Sequence, residues 1–143
     1  MSSSLKFAAL QEAMSVVQPF LSWNQFTVMT EACHGEEEEF FMQTFVAWAD
    51  KIKAMPATYQ QDGLHLAAVV HLHYFFRGSD WYITEKDVDG GIQQAYGYAI
   101  LNGDDQNAEL GYISIEELTC IGAELDLHFL PCTLAEIKVN RSS

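Results

Sequence analysis

The sequence predicts an α+β protein in which N-terminal helices pack on an antiparallel sheet of about four to five strands. Three observations predict it. Apolar residues recur every three or four positions as far as Pro56; beyond residue 67 the pattern changes to β-branched and aromatic runs separated by turn signals; and no repeat or low-complexity linker divides the two stretches. The 143 residues suit a single domain, helical over 1–56 and β-rich over 67–137. A chain of this size buries roughly two thirds of its unfolded surface.

The first helix is expected over Leu5 to Leu21, with Phe7, Leu10, Met14, Val17 and Leu21 on one stripe and Pro19 ending it. A second falls within Asn24 to His34, with Gly35 as a left-handed stop. In the third, Phe41, Phe45, Trp48, Ile52 and Met55 alternate by four and three, and Pro56 follows. Glu36, Glu37, Glu38 and Glu39 open it, where carboxylates complement the helix dipole by about 0.3–1 kcal/mol each.

Past the polar stretch 57–63, Val69 to Phe76 reads as the first strand, Arg77-Gly78-Ser79-Asp80 as a tight connection and Trp81 to Thr84 as the hairpin partner. Residues 86–93 read as a loop, Ala95 to Leu101 as a third strand, Asn102-Gly103-Asp104-Asp105 as a turn and Glu109 to Ile113 as a fourth strand. Ser114-Ile115-Glu116-Glu117 has the form of a capping box before a short helix reaching about Thr119. Glu124 to Leu130 is the expected final strand, and Thr133-Leu134-Ala135-Glu136 repeats the capping pattern before the tail.

Twenty acids against seven bases give a formal charge of −13, which repels phosphate backbones and anionic lipids and attracts basic surfaces. Direct nucleic-acid and membrane binding are therefore disfavoured. Cys33, Cys120 and Cys132 form no paired spacing, so reduced thiols in a cytoplasmic protein are expected. The N-terminal stretch lacks the long apolar core of a secretion signal, and no run approaches the ~20 apolar residues of a membrane span.

The run Asp80-Trp81-Tyr82-Ile83-Thr84-Glu85-Lys86-Asp87, then Gln94-Ala95-Tyr96-Gly97, Glu109-Leu110-Gly111-Tyr112-Ile113-Ser114 with Glu117-Leu118, and Asp126-Leu127-His128-Phe129 resembles a family of small uncharacterised proteins carried on bacterial plasmids, prophages and integrative elements. The resemblance spans about residues 69–137. It implies relatedness and a mobile-element setting, and it carries no site residues with it. By analogy with anti-CRISPR and anti-restriction proteins, it implies a role against host defence.

His71 and His73 lie two apart on a strand, hence on one face, with His128 as a third imidazole; a metal-dependent hydrolase would use such a set. Histidines on a half-buried strand are more commonly packed and hydrogen-bonded. Cys33 and His34 are adjacent in a helix and face apart, Ser114 is a helix cap, and no G-x-S-x-G or phosphate-cradling loop occurs. No cofactor motif is present, and Asp87-Val88-Asp89-Gly90-Gly91 lacks the later ligands of a calcium loop. The other candidates are Glu85, Asp87, Asp89, Asp104, Asp105 and Glu109, which would imitate a phosphate track if they converge at one end of the sheet.

The leading expectation is a non-enzymatic acidic protein that binds a basic, nucleic-acid-handling host protein, such as a CRISPR effector subunit or restriction enzyme. The alternatives are the histidine hydrolase and a regulatory or assembly module. Surface acid held only for solubility explains the charge equally well.

Overall fold

The computed structural model describes residues 3–142. It opens with α1 (Ser3–Val17), which tightens into a 3-10 turn over Gln18–Phe20 rather than running on to Leu21. Pro19 sits inside that turn, where its missing N–H costs nothing. Ser22 then caps α2 (Trp23–Ala32), its side chain accepting from the Gln25 amide at 3.2 Å. The expected left-handed stop at Gly35 is not formed. Cys33, His34 and Gly35 instead donate three residues back, to Thr30, Glu31 and Ala32, so the free carbonyls are satisfied by a tightening right-handed turn.

α3 (Glu38–Ala54) has only Glu38 and Glu39 in its first turn, with Glu36 and Glu37 preceding it, and carries Lys51 and Lys53 at its last. Both ends therefore oppose the dipole. Phe45, Trp48, Ile52 and Met55 are buried as their spacing predicts. Phe7 is not: at 60% exposure it leaves the expected stripe, whereas Val17 and Leu21 are buried as expected and Ala13 joins them.

The expected strand Val69 to Phe76 divides at His71 into β1 (Val69–Val70) and β2 (Leu72–Phe76). β2 joins β3 (Ser79–Glu85) through Arg77 (φ 47°) and Gly78 (φ 82°), a two-residue turn whose positive φ values match the twist of the hairpin. β4 (Ala95–Ile100) and β5 (Glu109–Ile113) follow, joined through Asn102 and Gly103, both again at positive φ. Ser114 caps α4 (Ile115–Cys120) at 3.1 Å as its sequence predicts. The last expected strand shrinks to β6 (Glu124–Leu125), because Asp126 turns the chain: its carboxylate accepts from the His128 amide and its carbonyl from that of Phe129. β7 (Cys132–Thr133) precedes α5 (Leu134–Ser142), a helix where the sequence suggested a tail. Thr133 and Glu136 cap α5 reciprocally, each backbone amide donating to the other's side chain at 3.1–3.2 Å.

The main sheet is antiparallel throughout, in the order β5-β4-β3-β2-β6, and β1 pairs separately with β7. The fold is thus α+β with its first helices N-terminal. One sheet face packs Leu72, Tyr74, Ile83 and Ile113 against Val17, Phe20, Phe45 and Trp48 of the helical half. The buried Tyr74 hydroxyl donates to the Phe20 carbonyl at 2.5 Å. The other face packs Tyr82, Tyr98 and Ile100 against Leu134 and Ile137 of α5. Among the described residues no helix is long and apolar enough to cross a membrane.

Candidate functional site

The histidines do not assemble a metal centre. His73 stacks on Tyr82, with centroids 4.6 Å apart and rings 8° from parallel, and both its nitrogens meet carboxylates: Nδ1 lies 3.1 Å from Asp126 and Nε2 2.7 Å from Asp80. Both ring nitrogens are thus engaged by carboxylates of the protein itself, and neither is turned towards His71 or His128 in a shared site. Asp80 also takes Arg141 of α5 at 3.3 Å, and Arg141 donates to Asp105 at 2.6 Å. His71 forms the break between β1 and β2, where burial lowers its pKa, and His128 is exposed on the turn after β6. Among the described residues no group of three His, Cys, Asp or Glu is placed to hold a metal ion.

The six loop acids do not form one patch either. β4 is antiparallel to β3 and β5, so the loop carrying Asp87 and Asp89 lies at its start, beside Glu85, and the loop carrying Asp104 and Asp105 lies at its end, beside Glu109. Most have structural partners. Asp87 folds its own loop by accepting from the amides of Asp89 and Gln94 at 3.1 and 3.0 Å. Asp104 accepts from the amide and side chain of Asn107, whose side-chain bond chiefly holds its pKa down, and Asp105 is held by Arg141. Glu85 is buried. Asp89 and Glu109 are left as exposed acids without such a partner in those bonds.

A different acidic surface is assembled at the start of β4. The carbonyl of Ile92 accepts from the amides of Ile115 and Glu116, which ties this loop to the first turn of α4 and brings Glu116 and Glu117 to the end that holds Asp89. Beside Ile92 and Thr119 stands Trp23, the first residue of α2, 77% exposed. Position 23 breaks no helical pattern in the sequence, so only its exposure marks it.

A cleft of about 260 Å³ opens on the sheet face that bears α5. Its chemistry begins with a β-bulge: Ile83 pairs with Gly97 but Glu85 pairs with Tyr96, so Thr84 is an extra residue on β3. Strict alternation would send Glu85 to the face of Ile83; the bulge brings Thr84, Glu85 and Tyr96 together along the cleft. Gly97 is required beside it, because a Cβ there would lie 2.2 Å from the Tyr82 carbonyl oxygen. Gln61 fills the interrupted ladder, its amide donating to the carbonyls of Val69 and Thr84 and accepting from the Val69 N–H at 2.7–2.9 Å. That insertion explains why β1 leaves the main sheet.

The lip of the cleft is the segment from Thr58 to His65, anchored where the Thr58 amide donates to the Lys86 carbonyl at 2.7 Å. Tyr59 (φ 78°) and His65 (φ 50°) adopt a left-handed backbone rare for such residues. The hydroxyls of Tyr59 and Tyr112 are 2.6 Å apart, and that bond is the main cause of a raised Tyr112 pKa. At the floor Glu85 is 3% exposed, accepts from the Thr84 hydroxyl, and has no salt bridge among the described residues.

Fold and sites together define an acidic α+β protein with an exposed tryptophan on an acid-rich end and a separate tyrosine-lined cleft over a buried carboxylate. Compared with family models, curated proteins and solved structures, the chain has no significant match.

Proposed function

We propose that this protein is a non-enzymatic binding protein that docks on a basic, nucleic-acid-handling protein of its host cell, a CRISPR effector subunit or a restriction enzyme being the partner class suggested by the resemblance over residues 69–137. The observation that carries the reading is Trp23, exposed at 77% beside the end of the sheet that bears Asp89, Glu116 and Glu117. An aromatic anchor with a charged, solvated rim is the usual anatomy of an interaction surface.

Charge supplies the complementarity. Among the described residues only two of the seven bases form ion pairs with acids, Lys53 with Glu12 and Arg141 with Asp80 and Asp105, so most of the twenty acids have no Lys or Arg partner. Such a surface accelerates encounter with a basic partner and loses that advantage as salt screens it. Affinity capture from host cells tests the reading with wild-type bait and with Asp89→Lys/Glu116→Lys/Glu117→Lys bait. Recovery of a basic nucleic-acid-handling protein by the first, with slower association and a weaker salt dependence for the second, is expected. Capture of no basic partner, or of the same partner with unchanged kinetics, contradicts it.

A further inference from the structure

The cleft on the α5 side of the sheet does not belong to the docking surface, which lies around Trp23 at the edge of the helical half. We propose that it is a binding site for an organic ammonium cation, held between the tyrosine rings of Tyr59, Tyr96 and Tyr112 above the carboxylate of Glu85.

Burial of an ionised carboxylate is costly unless the charge is paired or fully hydrogen-bonded. Glu85 is 3% exposed and accepts from the Thr84 hydroxyl, which uses one of roughly four acceptor positions of a carboxylate. Its nearest neighbour in sequence with a positive charge, Lys86, is turned away and donates to the carbonyls of Ile52 and Lys53 at the end of α3. The remaining acceptor capacity of Glu85 therefore belongs to the cleft that it lines. Asp62 lines it as well, with an exposed carboxylate that adds to the negative potential.

The surroundings select the kind of cation. Three tyrosines line the cleft, Tyr96 and Tyr112 edge to face with centroids 5.7 Å apart, and Tyr112 hydrogen-bonded to Tyr59. Aromatic rings beside a carboxylate suit an alkylated ammonium group, which interacts with ring faces and with the charge while giving up little hydration. A hard divalent ion needs several charged or carbonyl oxygens around it, which tyrosine rings do not provide. At about 260 Å³ the cleft lies just below the roughly 300–1,000 Å³ of drug-sized sites, so it admits a small head group. The bulge at Thr84, the Gly97 contact and the left-handed Tyr59 and His65 all serve to hold this geometry, as strained backbone at ligand sites commonly does.

The test uses choline and its uncharged isostere 3,3-dimethyl-1-butanol, titrated into the whole protein while the tyrosine ring resonances are followed by NMR. Choline is expected to bind saturably and shift the signals of Tyr59, Tyr96 and Tyr112, and the isostere to bind at least about tenfold more weakly, as loss of a charge-assisted contact implies. Glu85→Gln is expected to lose choline binding by a similar factor. Tyr112→Ala, a change at an exposed position, gives an independent reading and is also expected to weaken choline. No saturable binding of choline, equal binding of the isostere, or undiminished binding by a folded Glu85→Gln or Tyr112→Ala variant overturns the assignment. None of these outcomes bears on docking at Trp23, so the two readings fail separately.

Discussion

Two glutamines do the work of backbone. Gln25 of α2 donates to the Leu125 carbonyl and accepts from its amide, both at 2.9 Å, which closes the free edge of β6, and Gln61 does the same for Val69 beside the bulge. Removing either leaves strand groups unpaired, so Gln25→Ala or Gln61→Ala is expected to lower stability by about 1–3 kcal/mol in urea unfolding. Nothing in the sequence marks them, since an isolated glutamine has no spacing pattern. His71 carries a pH dependence. Burial lowers its pKa from the usual 6.5, so between the folded and unfolded values the unfolded chain binds more protons, and stability falls as pH drops through that window. Comparing urea midpoints at about pH 7.5 and about pH 5.5, His71→Gln should lose less on acidification than the wild type. An equal loss would assign the acid sensitivity to other groups.

At the scale of elements, periodicity made the third helix legible from Phe45 to Met55, and turn signals placed the strand Glu109–Ile113 and the hairpin within Arg77 to Asp80, of which only Arg77 and Gly78 form the turn while Ser79 and Asp80 already pair in β3. What was not legible depends on tertiary partners. Val69 to Phe76 has one continuous strand pattern, and its division comes from Gln61, distant by eight residues from Val69. Glu124 to Leu130 alternates well enough for a strand, but Asp126 bends it while holding His73. The capping box at Thr133 was readable, whereas the helix that it starts has too short an apolar pattern to stand out; it is fixed by burial of Leu134 and Ile137 and by Arg141. The bulge yields the sharpest test at this scale. Gly97→Ala places a methyl group 2.2 Å from backbone, and neither strand can yield without breaking the ladder. Its cost is expected at or above the top of the ~1–3 kcal/mol usual for overpacking, read as a lower unfolding midpoint, and a stability unchanged from wild type would exclude the bulge geometry.

For the whole molecule, net charge was the most visible property of the sequence and the least informative about place. The four consecutive glutamates divide into two before α3 and two within its first turn, and the six loop acids divide between opposite ends of β4. Of those, Asp87, Asp104 and Asp105 are engaged in holding loops and α5, so their reversal would unsettle structure before it altered recognition. The candidates that replace them, Glu116 and Glu117, lie at the same end of β4 as the Asp89 loop, through bonds to Ile92 that join parts of the chain more than twenty residues apart. Trp23 gives this surface its apolar anchor. Truncation of a central aromatic anchor commonly costs about 2 kcal/mol or more of binding. The central claim is therefore tested most directly by affinity capture from host cells with wild-type bait and, in parallel, with Trp23→Ala bait of unchanged melting temperature. A basic nucleic-acid-handling protein retained by the wild type and lost from the variant is the predicted result, and the same proteins retained equally by both would contradict it.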